Sequence, residues 1–121
     1  MMSLVPKEDY PSETRRLPQG KRLMTKVSYV YRDASNYKFW GEFRLLGKIN
    51  IETIGSFLFD GEYFIPEKIG LPPLRPDKTN EDDHLLHSLE ACEAVEDCTF
   101  SMTVAEFARR IRRAHQRGWF Y

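Results

Sequence analysis

Five arginines, Arg109, Arg110, Arg112, Arg113 and Arg117, crowd one short stretch and run into Trp119-Phe120-Tyr121. Guanidinium groups grip phosphates and aromatic rings stack on bases. The same residue types, Arg, Trp and Tyr, also anchor protein–protein hot spots. Part of the pattern is plain stabilisation, because cations suit the C-terminal half of a helix through its dipole. A solvated face answering the acids of residues 81–97 is the plainer explanation. Five cations and three terminal aromatics go beyond what the dipole needs, while the solvated face stays open as the alternative. Partner binding is therefore assigned to Arg109, Arg110, Arg112, Arg113, Arg117 and Trp119, with a protein as the expected partner and nucleic acid as the alternative.

Other residues that could do chemistry point less far. His84, His87, Cys92 and Cys98 are the only metal-like cluster, at spacings of three, five and six. Zinc sites usually show paired short spacings such as Cys-x-x-Cys, so a polar histidine pair beside buried thiols is the simpler account. Arg32, Asp33, Asn36 and Lys38 crowd a turn, where Asp and Asn bond the local backbone. No nucleophile and base can be paired there. Glycine-rich phosphate loops, a nucleophile elbow and a helical His-Glu-x-x-His are absent from the sequence. No catalytic residue, metal ligand or cofactor is assigned, and the chain is expected not to be an enzyme.

Composition bounds the rest. A chain of 121 residues is one domain with a core of its own. Eighteen basic and 18 acidic residues leave no net field to hold a nucleic acid or an anionic membrane. The charge is nevertheless segregated. Residues 81–97 hold seven acids and no base, and residues 104–121 hold five arginines against Glu106. Two cysteines are too few for a disulfide framework. No apolar run nears the roughly 18–20 residues of a membrane span, and residues 1–20 lack a secretory signal's apolar stretch. A cytoplasmic protein is expected.

The elements that must position these residues begin late. Residues 1–23 show neither period 2 nor period 3.6 and read as a flexible arm; the domain is expected over 24–121. Thr25–Arg32 and Tyr37–Leu45 alternate as a hairpin, with Val27, Tyr29, Tyr31, Tyr37, Phe39, Phe43 and Leu45 on one face. A three-residue loop at Ala34–Asn36 would oppose Lys26 to Arg44 and Arg32 to Lys38. A five-residue loop at Arg32–Asn36 opposes Lys26 to Glu42 and is mildly preferred. Gly41 marks a bulge or a close approach of backbone.

Asn50 is placed to cap a short helix through Ile51, Ile54 and Leu58, ended by Asp60-Gly61. Residues 62–83, with four prolines among apolar residues, read as a packed irregular segment. Leu85, Leu86, Leu89 and Cys92 fit a helix, yet a strand there would give the hairpin a third partner. Thr103 and Glu106 form a capping box, Met102 can staple onto Phe107, and Val104, Phe107, Ala108, Ile111 and Ala114 make a buried stripe.

Tyr31-Arg-Asp-Ala-Ser-Asn-Tyr-Lys38, Gly61-Glu-Tyr-Phe-Ile-Pro66, Gly70-Leu-Pro72 and Asp83-His84 resemble a family of small uncharacterised bacterial proteins, over roughly Met24 to Ala114. The resemblance implies a strand over 84–95 and carries no activity, cofactor or site residue. The expected fold is α+β: a small antiparallel sheet of about three strands with two helices packed on one face. The expected role is a non-catalytic interaction or regulatory protein.

Overall fold

Alternating apolar and polar residues make two long strands in the computed structural model, which describes residues 15–33, 35–75 and 84–120. In chain order the elements are β1 (Arg15–Arg16), β2 (Arg22–Arg32), β3 (Lys38–Leu46), α1 (Ile51–Ile54), β4 (Tyr63–Phe64), β5 (His87–Asp97), β6 (Thr99–Phe100), β7 (Met102–Thr103) and α2 (Val104–Arg117). Two 3-10 turns, Gly55–Phe57 and Pro66–Ile69, lie between α1 and β5.

The expectation of about three antiparallel strands under two helices is corrected. The described residues form a five-stranded sheet in the order β4-β5-β2-β3-β7 and a separate ladder of β1 with β6. The β3–β7 pairing is parallel, so the sheet is mixed. Four of the strands are two residues long, too short to show a period of two. The apolar face is covered by α2 together with one-turn α1 and the two 3-10 turns, in place of two regular helices.

The hairpin takes the register set aside on charge grounds. Lys26 stands opposite Arg44, and Arg32 opposite Lys38. Asp33 sets the turn, its carboxylate accepting from Ser35 N and Tyr37 N at 2.9 Å each, and Asn36 takes the left-handed conformation at φ 69°. Such three-residue loops suit the strand twist. The like charges are answered from β5, which a hairpin considered alone does not contain. Lys26 Nζ lies 3.3 Å from Glu93, and Arg44 Nε 2.9 Å from Asp97.

Strand β5 carries a bulge. Ser28 pairs with Ala91 but Tyr29 with Leu89, leaving Glu90 as the extra residue. Inward positions therefore run His87, Leu89 and then Cys92. Tyr29, in the centre of the sheet, packs against Phe43 and Phe64 with ring centroids 5.6 Å away in each case. Its hydroxyl donates to Pro72 O at 2.8 Å, and burial pushes its pKa well above the usual phenol range, with Glu67 adding to the rise. Gly41 opposite it is a close approach: a Cβ there would lie 2.6 Å from Leu74.

Asn50 caps α1 as expected, accepting from Thr53 N at 3.2 Å, but the helix ends at Ile54. Asp60-Gly61 instead makes a tight turn with φ of 56° and 78°, closed by Glu62 N donating to Phe59 O. The Pro-rich segment packs inward through Phe64, Ile65, Ile69 and Leu71, each no more than 1% exposed. Strand β7 runs without a loop into α2. Thr103 pairs with Leu46 and also caps the helix, completing the capping box with Glu106. Phe107, Ile111 and Ala114 bury the expected stripe, Phe107 lying 5.5 Å from Phe43.

Of the expected arm, residues 1–14 lie outside the described residues. Within residues 15–23, Arg15 pairs with Phe100 and Arg16 with Thr99, Leu17 N donates to Cys98 O, and the Arg15 guanidinium holds Glu106. Among the described residues no helix is long and apolar enough to cross a membrane.

Candidate functional site

Arg110, Arg113 and Arg117 fall at i, i+3 and i+7 of α2, which puts them along one flank of the helix. That flank faces the 3-10 turn Pro66–Ile69. Between them lies a cleft of about 290 Å³, lined by Lys68, Gly70, Arg110, Arg113 and Arg117 over a floor of Ile69 and Ala114. Among the described residues no acidic side chain lines it.

The turn that forms the opposite wall is held from below. Pro66 opens it, the buried Ile69 anchors it, and Gly70 closes it at φ 78°. Arg110 Nη1 donates to Ile69 O at 3.0 Å. Gly70 permits this: a Cβ at that position would lie 2.6 Å from Arg110 Nη1. Of the neighbouring acids, Glu67 is drawn away and Glu106 is shared with Arg110. Glu67 is held by Arg75 through both oxygens, in a pair whose side chains are only 12% and 7% exposed. Glu106 accepts from Arg15, at 2.5 Å and 3.1 Å, and from Thr103, with Arg110 Nη2 3.8 Å away. The Arg15 hydrogen bond is the main cause holding the Glu106 carboxyl below its ordinary pKa.

The six residues singled out in the sequence separate. Arg113 and Arg117 are exposed along the cleft and make no ion pair among the described residues, and Arg110 is half-buried in its wall. Arg109 and Arg112 are exposed on α2 outside the cleft. Trp119 is buried in the core at 4% exposure, its indole N–H donating to Phe57 O at 3.0 Å. Phe120 and Phe59 are exposed beside it, and their rings meet edge to face at 5.3 Å and 90°. They border a shallow hollow that shares Arg117 and Gly118 with the basic cleft. Sequence reasoning missed Lys68 and Phe59. The i, i+3, i+7 spacing of Arg110, Arg113 and Arg117 was the available signal for the flank, but nothing local marks the two residues across from it.

Among the described residues, no ion pair joins the acids of 84–97 to these arginines; Glu81, Asp82 and Asp83 lie outside the described residues. Glu93 and Asp97 pair with Lys26 and Arg44 on the face of the sheet away from α2. The first cause lowering the Asp97 pKa is a backbone hydrogen bond from Cys98 N.

His87 is a fully buried core residue. Its Nε2 accepts from Leu74 N at 3.0 Å, so Nδ1 carries the proton and donates to Leu85 O at 3.0 Å. His84 Nδ1 accepts from Leu86 N, and burial raises the Cys92 pKa. Both histidines therefore have ring nitrogens engaged by backbone, and among the described residues no three His, Cys, Asp or Glu side chains gather as a metal would need.

No protein-family model matches the chain, and no curated protein or solved structure matches it.

Proposed function

We propose that the chain is a small non-catalytic interaction protein that binds an acidic segment of a protein partner at the C-terminal end of α2. The observation that carries this is the junction of two surfaces at Arg117 and Gly118. On one side lies a cleft lined by cations and, among the described residues, by no acid; on the other lies the exposed Phe59–Phe120 pair, beside Asp60. Arginine beside aromatic rings is the residue chemistry of binding hot spots. Balanced overall charge favours a short-range protein contact over long-range capture of a polyanion. Two free cysteines and no described membrane-crossing helix suit a cytoplasmic setting.

One observation favours a second reading, a nucleic-acid-binding accessory protein using the same arginines. Glu93 and Asp97 are neutralised on the far face of the sheet, so they do not repel a polyanion from α2. Fluorescence anisotropy separates the two, with a Glu-rich peptide containing one aromatic residue, single-stranded DNA and duplex DNA at low and physiological salt. The expected result is saturable peptide binding that Arg113→Ala/Arg117→Ala abolishes, with weak DNA binding throughout. Submicromolar DNA binding at physiological salt, lost in that double variant, would replace the first reading with the second.

A further inference from the structure

We propose that the chain pairs with a second copy of itself along the outer edge of β3, in an antiparallel ladder centred on Trp40. This surface lies apart from the one at α2 and is independent of it.

Hydrogen-bond direction gives the first argument. Asp33 N donates to Tyr37 O across the hairpin, so residue 37 and the odd positions after it turn their backbone groups towards β2. Lys38, Trp40, Glu42 and Arg44 turn theirs outward, and Ser101 N donates to Arg44 O at 2.9 Å. Strand β7 continues that contact over Leu45 and Leu46. Among the described residues no strand lies beside β3 from Lys38 to Phe43 on this side. Lys38, Trp40 and Glu42 are exposed there, Trp40 at 59%. Open edges are often blunted by a proline, a bulge or a run of charge. This one pairs with β2 without a bulge, contains no proline, and sets opposite charges on either side of a tryptophan.

Self-complementarity gives the second. A two-fold axis at Trp40 puts Lys38 opposite Glu42 of the second copy, Trp40 opposite Trp40, and Glu42 opposite Lys38. The backbone groups of all three pairs face one another, which gives roughly six hydrogen bonds between the copies. Opposite charges and paired aromatics are the favoured cross-strand neighbours. Other registers lose this match. An axis at residue 38 or 42 opposes like charges, and one at 41 sets Lys38 against Arg44. An axis at 39 carries Glu42 to Asn36, which lies in the left-handed turn outside the strand. Glu42 also lies 3.9 Å from Lys26 and 3.7 Å from Arg44 of its own chain. A carboxylate accepts from several donors at once, so those contacts do not compete with Lys38 of the second copy.

A single strand edge buries less than the ~1,200 Å² of a standard interface, so the dimer is weak and dissociates on dilution. Sedimentation equilibrium of the full chain, over concentrations up to ~1 mM, should show a reversible monomer–dimer equilibrium. Lys38→Glu and Glu42→Lys each place like charges opposite one another at both outer pairs, and each should weaken self-association about tenfold. Mixed one to one, the two variants restore opposite charges at every pair and should associate as tightly as the wild type. Trp40→Thr touches no ion pair and should also abolish the dimer while leaving the fold intact, so the test does not depend on Glu42→Lys alone. Circular dichroism checks the fold of each variant. Amide exchange at residues 38, 40 and 42 should slow as concentration rises. A monomer at every concentration overturns the proposal, as does a dimer that Trp40→Thr leaves unchanged. So does a mixture of folded charge variants that associates no better than either alone. Slow exchange at those amides in a monomeric sample would show that the edge is already paired within the chain, and overturns it equally.

Discussion

Gly61 and Gly70 have the same backbone angle, φ 78°, and different surroundings, so one substitution at each separates two costs. A Cβ at Gly61 meets nothing within 4 Å, so Gly61→Ala carries only the left-handed strain, about 1–2 kcal/mol. Gly70→Ala carries the same strain and also drives a Cβ to 2.6 Å from Arg110 Nη1. The guanidinium must then leave Ile69 O. Hydrogen bonds from charged donors are worth ~1.5–3 kcal/mol, and the 37% exposure of the Arg110 side chain argues for the lower end. Gly70→Ala should therefore destabilise by ~3 kcal/mol, roughly 1.5 more than Gly61→Ala. Equilibrium urea denaturation, followed by fluorescence of the buried Trp119, measures both. In an Arg110→Ala background the excess at Gly70 should vanish, because the atom it displaces is gone. Equal costs for the two alanines in the wild-type background would refute the claim that Arg110 is held against this turn.

Other expectations can be checked in the same assay. Thr103→Ala should cost ~1 kcal/mol through loss of the helix cap, and Phe107→Ala ~3–5 kcal/mol through a cavity beneath Phe43; similar small effects from both would mean α2 is not docked there. Glu106 and Asp97 have folded pKa values below their ordinary ones, so their stabilisation is complete above the carboxylate range and is lost as pH falls through the folded values. Glu106→Gln should lower stability at pH 7 and flatten the acid limb of a stability–pH curve, an unchanged limb counting against the Arg15 contact. Truncation before residue 22 should lower the melting temperature more than truncation before residue 15, since only the first removes β1 and Arg15; identical melting curves would show that the β1–β6 ladder adds nothing.

What could be read from the sequence follows how local each signal is. The cap and stripe of α2 are contained within about fifteen residues; the capping box is present, and Phe107, Ile111 and Ala114 of the stripe are buried while Val104 and Ala108 are half-buried. The β5 segment looked helical because the bulge at Glu90 makes the inward residues Leu89 and Cys92 three apart, a helical spacing produced by an interrupted strand. The hairpin register was misjudged because Lys26 and Arg44 find their counter-ions on a strand more than 40 residues away in the chain. Asp60-Gly61 suits either a helix end or a tight turn, and Phe59 pairing with Tyr63 decides it. At the site, the arginine flank was legible from spacing. Lys68 was not, because only the fold brings the Pro66–Ile69 turn alongside α2.

The central position of β2, with β3 on one side and β5 on the other, has a consequence for the order of assembly during synthesis. The hairpin partners are adjacent in the chain, but β5 ends 51 residues after β3 does. At translation rates of about 5–20 residues per second, the completed hairpin waits roughly 2.5–10 s for its second neighbour. Throughout that interval Lys26 and Arg44 face each other with only Glu42 nearby. Their repulsion weakens the nascent hairpin and keeps its open edges from pairing with other chains, much as charged gatekeepers do. The arrival of Glu93 and Asp97 removes that repulsion and locks the register in the same event. Commitment to the native sheet is thereby deferred until the strand that completes it has been made.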